Sequence, residues 1–112
     1  MPSEGYAIFR QAILSEKQVS CIYDGHPREL RPVILGFSKG EEKVLAYQIG
    51  GTSSGGLPPE GQWKCLRVAN VRNATIHNGL WREGEWHRKT QTCVENVDVD
   101  INVELRKRRR RA

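Results

Sequence analysis

The sequence predicts a mainly β fold: one N-terminal α-helix followed by a strongly curved antiparallel sheet, or partly open barrel, of about five short strands. Three observations predict it. Apolar residues recur at helical spacing only near the start of the chain. The period then falls to two and stays there. Turn dipeptides separate the alternating stretches at short intervals.

In "YAIFRQAILSEK", Tyr6, Ala7, Phe9, Ile13 and Leu14 fall on one helical face, and Ser3 with Glu4 supplies a start signal, so a helix is expected over about 4–16. "QVSCIYDG" reads as a strand that ends at the turn pair Asp24-Gly25. "HPRELRPVILGFSKG" is a longer strand in which Pro27 and Pro32 imply an edge or a bend. "KGEE" is a turn and "KVLAYQIG" a third strand. "GTSSGGLPPEG" is a loop rich in glycine, serine and proline. "QWKCLRVANVRNATIHN" is a fourth strand with its continuation. "GLWREGEWHRKTQ" is a polar excursion or a short helix. "TCVENVDVDINVEL" alternates, with Val97, Val99, Ile101 and Val103 on one side and Asp98, Asp100 and Asn102 on the other, as in a half-buried closing strand.

The 112 residues form one expected domain, 1–105, with a disordered basic tail over 106–112. The formal net charge of +5 is concentrated in that tail, where Arg106, Lys107, Arg108, Arg109, Arg110 and Arg111 follow one another. Without those six, the remaining basic residues nearly balance the 13 acidic ones. The tail is suited to non-specific contact with phosphate backbones, or to solubility alone. No run of eighteen apolar residues and no secretory signal is visible, so a cytoplasmic address is expected, with no membrane partner. Cys21, Cys65 and Cys93 are odd in number and widely spaced, and read as small strand hydrophobes in a reducing compartment. Neither they nor His26, His77 and His87 show metal-ligand spacing, so no metal and no cofactor is expected.

The fourth strand carries the most informative residues. Period two places Leu66 and Val68 on one face, and Trp63, Cys65, Arg67 and Ala69 on the other. The aliphatic pair belongs to the core, so Arg67 and Trp63 project from the opposite surface. A guanidinium offers a planar fork of donors to phosphate, and an indole offers a face for stacking. Arg28, Arg31 and Lys43 add basic groups on neighbouring strands, and Tyr23 and Tyr47 add hydroxyls and rings. Cations interleaved with aromatics on a sheet suit single-stranded nucleic acid. The plainer alternative is that the arginine pairs with a carboxylate such as Glu29 or Glu42 and that the tyrosines pack.

The ordered series "YDGHPRELRPVILGFSKGEEKVLAYQ…WKCLRVANV" resembles the WYL domain over roughly residues 6–77. A helix comes first, then a strand ending in Tyr23, the arginine strand "RELRP", an apolar-Gly run and a turn. "KVLAYQ" stands at the signature strand, with Val44, Leu45 and Ala46 in place of the Trp-Tyr-Leu triplet. "LRV" stands at the arginine strand, followed by Ala69-Asn70 where the family has Asp-Arg. The resemblance implies an SH3-like small barrel and a mostly bacterial, stand-alone ligand-binding module without a helix-turn-helix. It also implies single-stranded DNA or RNA, or a nucleotide-like anion, as ligand, in transcription regulation or nucleic-acid-linked defence. Arg67 matches the family's ligand-contacting arginine, Arg31 the basic position before Pro32, and Tyr47 the end of the signature strand.

A protein–protein adaptor is the second expectation, with Trp81 and Trp86 as anchors or as a lid, and a homodimer through an unpaired strand edge as a variant of it. Catalysis is not expected. Glu83 and Glu85 flank a glycine without catalytic spacing, and "GTSSGG" lacks the lysine and helix start of a phosphate-binding loop.

Overall fold

Ser3 starts the helix and ties it to the sheet. Its hydroxyl accepts from the Tyr6 N–H at 3.2 Å and donates to Glu42 at 2.6 Å. The computed structural model describes residues 3–51, 62–78 and 91–103. Helix α1 (Glu4–Leu14) buries Tyr6, Phe9, Ala12 and Ile13, the spacing of one helical face. It ends two residues before the expected boundary. The backbone at Glu16 turns to φ 55°, and the Lys17 N–H closes back on the Ala12 carbonyl.

Six strands follow: β1 (Gln18–Tyr23), β2 (His26–Ser38), β3 (Glu41–Gly51), β4 (Gln62–Arg67), β5 (Val71–His77) and β6 (Asn96–Asp100). Two-residue turns at Asp24-Gly25 and Lys39-Gly40 have positive φ at both positions, the geometry that matches strand twist in a tight hairpin. The sheet order is β4-β3-β2-β1-β5, all antiparallel, and β6 pairs with β2. β2 is central rather than an edge. β3 runs along one side of it, and β1 and β6 share the other. Pro32 is tolerated there because the register shifts between Pro32 and Ile34, a bulge that bends the strand.

The expected fourth strand is two strands. A single 3-10 turn, Val68–Asn70, joins β4 at one end of the sheet order to β5 at the other. Four strand spacings in a flat sheet span about 19 Å. The four residue steps from Arg67 to Val71 reach at most about 14 Å, and less in a 3-10 turn. The sheet must therefore curl until its edges approach, which makes it a strongly curved, barrel-like layer. The Tyr23 hydroxyl on β1 accepts from the Arg67 N–H at 3.1 Å and joins the two sides.

The core lies inside the curve. Val19, Leu30, Val33, Leu35, Val44 and Ala46 are fully enclosed, with Leu66 and Val68 beside them as expected. α1 covers this core, packing against β2, β5, β6 and the 3-10 turn. Tyr6 stacks on Phe37 at 5.3 Å and donates to Asp98 at 2.6 Å. Burial, reinforced by that carboxylate, raises the tyrosine's pKa well above its usual range.

The closing strand is shorter than its alternation predicts. Val99 and Ile101 are buried, but Val97 is 49% exposed and Val103 38%. A register shift at Leu35 and Gly36 rotates the start of β6, and the backbone is helical from Ile101. No described helix is long and apolar enough to cross a membrane.

A candidate ligand surface on β2, β3 and β4

Cross-strand register builds the outer face row by row. Arg31, Tyr47 and Trp63 are partners across β2, β3 and β4. Leu45 lies opposite Cys65 in the next row, and Lys43 opposite Arg67 in the one after. The expected facing of the fourth strand holds: Leu66 is inside, and Trp63, Cys65 and Arg67 are outside. Trp63 is 39% exposed and meets the Tyr47 ring edge-on at 5.1 Å. Arg31 is half-buried beside Tyr47.

Arg67 extends outward. Its Nε lies 3.5 Å from Glu41, with side chains 59% and 54% exposed, so solvent screens the pair and leaves the guanidinium accessible. The carboxylate is Glu41 rather than Glu29 or Glu42. Arg67, Lys43 and Lys39 line a hollow of about 440 Å³, where Glu41 and Glu95 oppose them.

Cys65 and Cys93 form a disulfide at the edge of this hollow, with Cα atoms 5.6 Å apart. This corrects the expectation of three reduced cysteines. Only Cys21 is a free thiol, and it is buried. The pairing was hidden because the two cysteines are 28 residues apart and meet only once the chain from 91 to 95 crosses the outer face. That strap is seated closely. The Cys93 sulfur lies 3.7 Å from the Val44 carbonyl, and Val94 is 2% exposed. A side chain at Gly36 would collide with the Asn96 carbonyl and with Val94, so the position needs the smallest residue.

Two expected ligand residues are structural. Arg28 is 6% exposed, donates to Gln48 at 3.0 Å and lies over the Tyr23 ring at 5.0 Å. Its pairing with Cys21 across the hairpin puts it on the inner face, where the sequence pattern does not distinguish a long basic side chain at a barrel end from an outward one. Tyr23 is buried and its hydroxyl accepts from the Arg67 backbone. The structure therefore gathers Arg31, Lys43, Tyr47, Trp63 and Arg67 and removes Arg28 and Tyr23. Arg106 to Arg111 with Lys107, and Trp81 and Trp86, lie outside the described residues.

A second polar cluster escaped sequence reading. Ser20, Glu29 and His77 meet on the outer face of β1, β2 and β5. His77 Nε2 is 2.6 Å from Ser20 Oγ and 3.0 Å from Glu29, and Ser20 donates to Glu29 at 2.6 Å. In a hydrolytic triad the carboxylate holds Nδ1 while the hydroxyl meets Nε2. Here both meet Nε2, and Nδ1 faces the Asn78 carbonyl at 3.2 Å. The cluster pins three strands without aligning a nucleophile. Only the period-two placement of the three residues signalled it. Among the described residues, no group of three or more His, Cys, Asp or Glu side chains could hold a metal ion.

Comparisons with protein-family models, curated proteins and solved structures find no match to this chain.

Proposed function

We propose that the protein is a non-enzymatic binding module for single-stranded nucleic acid or a nucleotide-like anion, and that the outer face of β2, β3 and β4 is its binding surface. The observation that carries this reading is the shared face: Trp63, 39% exposed, meets Tyr47 in register with Arg31, and the Lys43–Arg67 pair lies two rows along the same strands, beyond Cys65. A base stacks on the indole, and the guanidinium and ammonium groups take the phosphates that follow. The tail adds sequence-independent affinity. The WYL resemblance belongs to the same proposal. Its support is the order of sequence pieces together with a helix-first, mainly β architecture compatible with a small barrel.

Fluorescence anisotropy with a labelled single-stranded oligonucleotide tests the reading. Affinity falls steeply as salt rises, and Arg67→Ala costs on the order of 1–3 kcal/mol. Absence of binding at low salt, or a full-affinity Arg67→Ala variant, removes it.

The second reading is an adaptor or homo-oligomeric module. It draws on β4 and β5, which end the sheet order, and on Ile22, 36% exposed on the strand next to β5. Concentration-dependent sedimentation that reports a dimer, with no oligonucleotide affinity, favours it.

A further inference from the structure

The disulfide and the charged hollow coincide in space. Cys65, Cys93, Lys39, Lys43 and Arg67 border the same cavity. Both cysteines line the hollow, but Cys65 is an exposed residue and Cys93 only 9% exposed, so Cys65 is the more open of the two to an incoming group. Cations beside a disulfide stabilise both an incoming thiolate and the thiolate that leaves. Structural disulfides are more often enclosed, and exposed ones are the labile class.

We infer that the Cys65–Cys93 bond is a thiol-exchange site, opened by small thiolates that carry a carboxylate. The incoming thiolate attacks the Cys65 sulfur. A new sulfur–sulfur bond forms there, the Cys65–Cys93 bond breaks, and Cys93 leaves as a thiolate facing the cations. One thiolate is consumed and one is released, so no further electron carrier is required. Opening the bond releases the 91–95 strap, which packs on Gly36 through Val94, from its covalent hold on β4. Glu41 and Glu95 oppose the three cations, so the preference for an anionic thiol is modest in size and adjustable in both directions. The inference is independent of the nucleic-acid reading, since it needs only the disulfide and the charges around it.

The test uses the full chain with thioglycolate and cysteamine, each rate normalised to that with a small reference disulfide. Opening is followed by acid quench, intact mass and peptide mapping. At low salt the normalised rate for thioglycolate exceeds that for cysteamine by about 3- to 10-fold, and the ratio collapses towards one in 0.5 M salt, where the screening length falls to a few ångströms. Lys43→Gln lowers the ratio and Glu95→Gln raises it. The adduct maps to Cys65, and Cys21 stays unmodified. Three titratable thiols in the air-purified chain, a ratio near one at low salt, or an adduct on Cys93 overturns the inference. The salt series on the unmodified sequence gives the answer even if a variant folds poorly.

Discussion

Arg28 is 6% exposed, whereas the side chain of Arg67 is 59% exposed, and the two perform different tasks. Removing Arg28 takes away its hydrogen bond to the buried Gln48 amide and leaves a void over Tyr23, so Arg28→Ala costs about 2–4 kcal/mol in denaturant unfolding. Arg67→Ala changes stability by less than about 1 kcal/mol, because its ion pair is screened, while its effect on affinity is large. Equal stability losses for the two variants contradict this division. Cys21 supplies a pH signature. Burial, opposed by Arg28 and aided by Glu29, pushes its thiol up to about 11 from 9.0. The folded state thus holds the proton more tightly than the unfolded one. Its contribution to stability is whole below pH 9 and is lost as pH rises towards 11. Chemical denaturation across that window shows the decline, and Cys21→Ala flattens it. At this scale the sequence was legible where side-chain facing followed strand period, as for Trp63, Leu66 and Arg67. It failed at Arg28 and Tyr23, whose basic or hydroxyl tips look like surface groups until the barrel interior is known.

Helix α1 and the hairpins were readable because their signals are local: the Ser3 cap, the apolar face of Phe9 and Ile13, and the Asp24-Gly25 and Lys39-Gly40 turns. What was not readable needed a partner distant in sequence. "LRVANVR" reads as unbroken strand, and only closure of the sheet shows that Val68–Asn70 turns to carry β5 onto β1. Tyr23 holds that closure. Tyr23→Phe leaves the Arg67 N–H without its acceptor and costs about 1–3 kcal/mol, seen as faster amide exchange at the β4 end. Gly36 has the same dependence on tertiary contact. Gly36→Ala lifts the strap from β2 and lowers stability by about 1–3 kcal/mol, and unchanged thermal unfolding would show that the strap is not seated there.

The whole molecule is a curved sheet closed at one end by a turn, covered by a helix and strapped across its outer face by a disulfide-bound segment. Cross-linking residues 28 apart contributes about 2–4 kcal/mol by restricting the unfolded chain, so the reduced protein unfolds at lower denaturant concentration with its strand content retained beforehand. Among the described residues, the outer face of β2, β3 and β4 carries the exposed Trp63 ring and, two rows along the strands beyond the disulfide, the exposed Arg67 guanidinium. An NMR titration of the labelled full chain with a single-stranded oligonucleotide reads that surface directly. The expected result is shifts concentrated at Arg31, Lys43, Tyr47, Trp63 and Arg67. Shifts confined to the basic tail, or spread along β5 and Ile22 instead, would contradict the assignment.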